Sequence, residues 1–359
     1  MKKIITAMSG GVDSSAAALI LQNEGYTVAG GTLRLFDRPE SGQCGKKCGS
    51  LKDISDAKSV CEKLGIEHYV FDYRDNFKKE VIDRFCDGYI KGETPNPCLE
   101  CNRYIKFKGM IEQGEKLGFE GTATGHYVRR EYDQGSGRYL LRKASDVTKD
   151  QTYVLYSLSQ EILSRTLFPL GDLSKVEIRK LAEDYGLVNA KKAESQDICF
   201  VPDGDYASFL KRETGYVPKL GDFVLEDGTF VAKNKGIIHY TIGQRKGLGI
   251  AWEHPLYVIS KNPQNNCVVL GKNEDLFSKR LEAYDVNFIA INELKSPMRV
   301  VAKTRYSQKE AQAVVYPLEK DRVIVEFSEP QRAVTPGQAV VFYKDDYLVG
   351  GGKILSAKE

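Results

Sequence analysis

The stretch from Lys3 to Leu21 leaves little freedom to whatever follows it. Lys3-Ile4-Ile5-Thr6-Ala7 is a short apolar run that reads as a buried strand. Ala16-Ala17-Ala18-Leu19-Ile20-Leu21 is rich in helix formers and is closed by Gly25. Between them, Met8-Ser9-Gly10-Gly11-Val12-Asp13-Ser14-Ser15 forms a small-residue loop that runs into a helix N-terminus. Glycine and serine let a backbone approach an anion closely, and a helix start offers unused N–H groups and a positive dipole end. An ordinary Gly/Ser turn is the alternative reading. The coincidence of strand, loop, Asp13 and helix favours a phosphate site.

The alternation continues. Residues 26–33 read as a second strand, and a polar stretch from Asp37 to Ser50 holds Cys44 and Cys48. A helix over 53–64 carries Ile54, Ala57, Val60, Cys61 and Leu64 at helical spacing. A strand over 68–71 and a helix over 75–90 follow. This order predicts a doubly wound parallel α/β sheet, whose ligands bind at the carboxyl ends of the strands, where the opening loop sits. A chain of 359 residues exceeds one typical domain. Boundaries are expected near 205 and 276: an α/β domain over 1–205, a small central domain over 206–275 and a β-barrel over 276–359. The last assignment rests on closely spaced short strands over 300–306, 313–316, 322–327, 338–343 and 347–349. Residues 128–132 and 138–143 read as a hairpin, 120–127 as a strand ending in Gly125-His126, and 235–249 as short strands and glycine turns. Ser174-Lys175-Val176-Glu177 is a capping box that opens a helix to about Tyr185.

With 42% hydrophobic and 28% charged residues the composition is that of an ordinary globular protein. The net charge of +3 announces no global field for nucleic acid, so an RNA site has to come from local patches. Candidates are Arg129-Arg130, Arg142-Lys143, Arg245-Lys246 and Lys303 with Arg305. The chain enters its first strand without a leader and has no apolar run of bilayer length, which predicts a cytoplasmic protein without a membrane partner. Eight cysteines then point to a reducing compartment, with thiols serving chemistry or metals. Cys61, Cys86 and Cys267 read as small buried hydrophobes. Pro95 and Pro97 exclude helix before Cys98, which places Cys98 and Cys101 on one face of the first turn of the next helix. There a thiolate is stabilised. The spacing by itself fits a zinc half-site, a redox pair or a cluster half-site. Cys199 lies in a short extended piece, 194–202, and is either a buried-strand cysteine or a second reactive thiol.

The opening loop lacks the Lys of the common P-loop. Ser9-Gly10-Gly11-Val12-Asp13-Ser14 resembles instead the PP-loop of the ATP-pyrophosphatase superfamily. Thr94-Pro95-Asn96-Pro97, Cys101-Asn102, Lys106-Phe107, Gly125-His126-Tyr127, Lys149-Asp150-Gln151-Thr152-Tyr153, Asp197-Ile198-Cys199-Phe200 and 240–247 extend the likeness along the chain. Together they resemble the MnmA family of bacterial tRNA-specific 2-thiouridylases. The resemblance implies a PP-loop domain, a small central domain and a C-terminal barrel. It implies ATP-dependent replacement of O2 of the wobble uridine by sulfur in tRNAs for Lys, Glu and Gln, with AMP and pyrophosphate as products.

By the same resemblance Ala7, Met8, Ser9, Gly10, Gly11, Val12, Asp13, Ser14, Leu33 and Gly125 hold ATP, and Asp13 is a candidate Mg²⁺ contact. Cys101 and Cys199 form the catalytic pair, Cys199 as a persulfide and Cys101 resolving it. Asn96, Pro97 and Cys98 face the target base. His126, Lys149, Asp150, Gln151, Arg305, Tyr306 and Gln338 contact tRNA. A cysteine desulfurase or sulfur-relay protein is the implied sulfur donor. Cys98 is a departure, since the best-known members carry Asp there. With Cys101 and Cys199 it resembles instead the three-cysteine arrangement of thiolases that hold a 4Fe–4S cluster. A PP-loop ligase that uses ammonia, and a non-catalytic RNA-binding module, are the competing readings.

Overall fold

The computed structural model describes residues 2–37, 51–192, 198–319 and 321–358. Cys44 and Cys48 lie outside the described residues. The N-terminal part is built on a five-stranded parallel sheet in the order His68–Asp72, Thr27–Arg34, Lys3–Ala7, Gly121–Ala123, Thr166–Leu167. Ile4 and Ile5 are buried at the centre of this sheet, as their apolar run predicts. The helix Val12–Asn23 packs Ala16, Ala17, Ala18 and Leu19 against it, all fully buried. The predicted strand 120–127 shrinks to Gly121–Ala123; Thr124 to Tyr127 leave the sheet as a loop that crosses the top of the opening helix.

The helices over 74–90 and 97–116 each contain a π-helical stretch, Lys78–Asp83 and Cys101–Lys106. Pro97 lies inside the second helix, at its first position, where a missing N–H costs nothing; Asn96 caps it by accepting the Cys98 N–H at 3.1 Å. The capping box at Ser174 is present, opening Lys175–Asp184.

The central part carries the helix Tyr206–Thr214 and a four-stranded sheet in the order Tyr257–Asn262, Cys267–Gly271, Gly221–Leu225, Phe230–Asn234. Much of 235–249 is a 3-10 turn, Ile237–His239, and glycine loops rather than strands. The C-terminal part closes a six-stranded barrel. Phe277–Phe288, Val323–Arg332, Ala311–Pro317, Met298–Lys303, Ala339–Lys344 and Tyr347–Lys358 follow one another, and the last pairs back onto the first. The hairpin Val128–Asp133 and Arg138–Lys143 sits inside the N-terminal sequence, yet it joins this barrel rather than the parallel sheet. Arg142 pairs with Tyr347. Arg129 and Arg142 both reach Asp346, at 2.9 and 2.7 Å, and Lys143 reaches Glu310 at 2.6 Å. Arg129, Arg142 and Lys143, from patches expected to face RNA, thus pin the hairpin to the barrel, while Arg130 donates to the Leu163 carbonyl. No helix among the described residues is long and apolar enough to cross a membrane.

Candidate active site

The opening loop has the geometry of an anion cradle. Gly10 takes φ +70°, and a Cβ there would lie 2.4 Å from the Asp53 carbonyl, so only glycine fits. The Ser9 N–H donates to Ser14 Oγ at 3.1 Å, and the Ser14 and Ser15 hydroxyls turn back to the Gly11 carbonyl at 3.0 Å. Gly11 caps the helix with backbone alone, so no side chain occupies the first N–H groups. Met8 anchors the loop through its N–H to the Gly31 carbonyl at 2.8 Å, and Val12 is buried beneath it. Gly125 presses on the loop from the segment that follows the neighbouring strand Gly121–Ala123: a Cβ would stand 2.7 Å from Ser14 N. Ala7 ends the central strand opposite Gly31, and Leu33 continues the adjacent one.

Two lysines far along the chain close on this loop. Lys175 Nζ sits 2.7 and 2.9 Å from the two carboxylate oxygens of Asp13, which also accepts the Tyr127 hydroxyl at 2.7 Å. Lys192 Nζ donates to the Gly10 carbonyl at 3.0 Å and pairs with Asp53 and Asp56 at 2.7 and 2.6 Å. Asn189 donates to the Gly10 carbonyl and to Ser15 Oγ. The cation missing from the loop's own sequence is supplied by tertiary structure, which no local pattern could have revealed. Asp13, expected to contact Mg²⁺, accepts from Lys175 on both carboxylate oxygens and from Tyr127 on one.

Cys101 is buried at the start of the π-helical stretch, and π-turns recur at functional sites. It belongs to an apolar cluster with Phe77, Phe85 and Phe200, and Cys199 packs against the same cluster. Cys199 and Phe200 lie in a turn, not in the extended piece expected. Cys98 is exposed, although it precedes Cys101 by one helical turn. Among the described residues no group of three His, Cys, Asp or Glu side chains is close enough to hold a metal ion. Cys98, Cys101 and Cys199 therefore do not form a cluster-binding set in this conformation. Asn96 and Pro97 line a cavity of about 280 Å³ that lies between the Cys101 helix and the barrel, where Tyr284, Gly337 and Lys353 complete it.

The residues expected at tRNA occupy varied settings. His126 stacks on Phe107 with centroids 5.4 Å apart and bonds Thr124 Oγ1 through Nδ1 at 2.9 Å. Its ring edge keeps some surface, but the protein packed around it pushes its pKa down to about 3, with Lys106 nearby adding repulsion. Asp150 accepts from the Ala144 N–H and the Thr152 hydroxyl, and Gln151 accepts the Tyr127 N–H at 2.9 Å. Lys149 is half-buried beside them. Arg305 donates to the Ala333 carbonyl and Thr335, the exposed Tyr306 donates to the Asp150 carbonyl, and Gln338 donates to the Thr94 carbonyl at 2.6 Å. Arg245 and Lys246 are exposed on a loop of the central part.

Comparison with known proteins fits this arrangement. A family model described as the tRNA methyl transferase HUP domain matches residues 2–203. The tRNA methyl transferase PRC-barrel domain matches 207–272, and the aminomethyltransferase beta-barrel domain matches 278–354. A tRNA-specific 2-thiouridylase MnmA of Acetivibrio thermocellus is 50% identical over 98% of this chain and 99% of its own length. The chain belongs to the MnmA family. Another member, from Caldicellulosiruptor saccharolyticus, is 50% identical over 99% of both chains. A third, from Thermoanaerobacter pseudethanolicus, is 49% identical over 98% of this chain and 97% of its own. An MnmA-family assignment accounts for the parallel sheet, the middle domain and the closed barrel together.

Proposed function

We propose that this chain is a tRNA-uridine 2-sulfurtransferase, which uses ATP to make 2-thiouridine at the wobble position of tRNA. The observation that carries this reading is the meeting of Cys101 and Cys199, distant in sequence, at one apolar cluster of a domain that also holds an anion loop. For function the chain is divided as 1–205, catalytic; 206–275, central; and 276–359, barrel.

The C2 carbonyl of uridine is a poor electrophile, and its oxygen leaves badly. Transfer of AMP from ATP to O2 makes that oxygen a leaving group. Backbone N–H groups of residues 12–14, at the uncapped start of the helix, cradle the departing pyrophosphate, and Lys175 adds positive charge at the loop. Mg²⁺, when bound with the nucleotide, neutralises further charge. The sulfur arrives as the terminal atom of a Cys199 persulfide. The Cys101 thiolate attacks Cys199 Sγ, the bond to the terminal sulfur breaks, and that sulfur attacks C2. The C2–O2 bond breaks with AMP leaving. A Cys101–Cys199 disulfide remains and takes two electrons from an external thiol before the next turnover. A cysteine desulfurase or relay protein restores the persulfide. The wobble base lies in a single-stranded loop, so presenting it costs less unstacking than in a duplex.

The test is mass spectrometry of nucleosides from tRNA incubated anaerobically with metal-stripped protein, ATP, Mg²⁺ and a persulfide donor. 2-Thiouridine is expected with wild-type protein, and none with Cys199→Ala. Multiple turnover by Cys199→Ala would sink the persulfide route, and product only after cluster reconstitution would replace it with iron–sulfur chemistry.

A further inference from the structure

The barrel holds the turn that carries Cys101 from both of its flanks. On the N-terminal side, the Thr94 N–H donates to the Pro336 carbonyl at 2.9 Å and Gln338 Nε2 donates to the Thr94 carbonyl at 2.6 Å. Between them Gly337, at φ +87°, lies so close that a Cβ would meet Thr94 N at 3.1 Å. On the helical side, the two charged residues that bracket Cys101 and Asn102 are both gripped by the barrel. Lys353 Nζ pairs with Glu100 at 2.6 Å and lies 3.5 Å from Asp285, and Asp285 pairs with Arg103 at 2.5 Å.

Glu100 is the buried member of this network, and Arg103, Asp285 and Lys353 are half-buried beside it. Glu100 is 8% exposed, and its Oε2 has no hydrogen-bond partner, so Lys353 is the cation that makes its charge tolerable. Asp285 takes φ +52°, a left-handed conformation uncommon for a residue with a side chain, at an irregularity in the pairing of Phe277–Phe288 with Tyr347–Lys358. A surface ion pair would justify neither feature. Both follow if the barrel must fix a helical turn whose exact placement matters.

We propose that Lys353 and Asp285 are positioning residues for sulfur transfer: through Glu100 and Arg103 the barrel sets the Cys101 thiol against Cys199. The inference rests on the proposed role of Cys101. Without Lys353, Glu100 has to protonate, rotate outward or draw in water, and each response moves the turn that carries Cys101.

The experiment uses the full chain loaded with persulfide and compares Lys353→Met, Lys353→Arg, Asp285→Asn and Cys101→Ala. Three quantities are read: the single-turnover rate of 2-thiouridine formation, the tRNA dissociation constant, and tRNA-dependent pyrophosphate release. Lys353→Met is expected to slow sulfur transfer at least about tenfold, since small displacements of reacting groups are costly. In Asp285→Asn, which lies outside the cavity lined by Asn96 and Pro97, tRNA affinity and pyrophosphate release stay within about threefold, and Lys353→Arg recovers most of the rate lost in Lys353→Met. Asp285→Asn keeps a residue that accepts the left-handed backbone, and it carries the same expectation if Lys353→Met does not fold. An unchanged sulfur-transfer rate in both charge-removing variants, beside an inactive Cys101→Ala, would overturn this inference alone. Parallel loss of all three quantities would reduce the network to a folding element and also overturn it. Full activity of Cys101→Ala would overturn the role of Cys101, and the inference with it.

Discussion

At the scale of single residues, the charged side chains around the opening loop decide the most. Lys175 spans from the start of its own helix to Asp13. Lys175→Met leaves the Asp13 carboxylate without its cation beside the proposed phosphate site. Pyrophosphate release with saturating tRNA is expected to fall at least about tenfold, with Lys175→Arg retaining more of it. His126 behaves in the opposite manner to a surface histidine. Burial lowers its pKa from 6.5 in the unfolded chain to about 3 in the fold. Its contribution to stability is therefore complete above about pH 6.5 and is lost progressively as the pH falls towards 3. The thermal midpoint is expected to drop between about pH 7 and 5, and His126→Gln is expected to flatten that drop. An NMR titration in which the His126 ring protons shift near pH 6.5 would contradict this account. Neutral at physiological pH, His126 would meet RNA by stacking or hydrogen bonding, not as a cation.

Among elements, the opening strand, loop and helix were legible in the sequence because each is specified by its neighbours: apolar residues, then glycines and serines, then helix formers. The capping box at Ser174 is legible for the same reason. The π-helical stretch at Cys101 is not, because one extra residue per turn leaves the apolar spacing of 97–116 close to that of an ordinary helix. Cys98 is exposed and Cys101 buried, although helical spacing predicts one shared face. The long strand Phe277–Phe288 is not legible either, because Lys279, Arg280 and Glu282 interrupt its apolar residues; Arg280 and Glu282 are paired by Glu326 and Arg322 on adjacent barrel strands or turns. The fit of Gly125 against the opening loop is also invisible locally. Gly125→Ala would bring a methyl within 2.7 Å of the Asp13–Ser14 peptide. The loop must shift, so the KM for ATP is expected to rise at least about tenfold while tRNA affinity is retained. A wild-type KM would mean that the loop tolerates displacement.

For the molecule as a whole, the division into three sequence segments understates how far they depend on one another. The hairpin at 128–143 leaves the parallel sheet to cover the barrel, and the barrel in turn grips both flanks of the Cys101 turn. Residues 1–205 expressed alone are expected to expose the hairpin's apolar face and to aggregate or bind a hydrophobic dye. A monomeric, cooperatively unfolding fragment that releases pyrophosphate would refute this. The same wiring constrains how the protein is born. Arg142 leaves the ribosome 204 residues ahead of the Asp346 that neutralises it. At about 5–20 residues per second that is a wait of roughly 10–40 s. For that interval the nascent N-terminal segment carries a hairpin edge without its barrel partner. The turn that carries Cys101 completes its barrel contacts only when Lys353, in the last strand, has emerged.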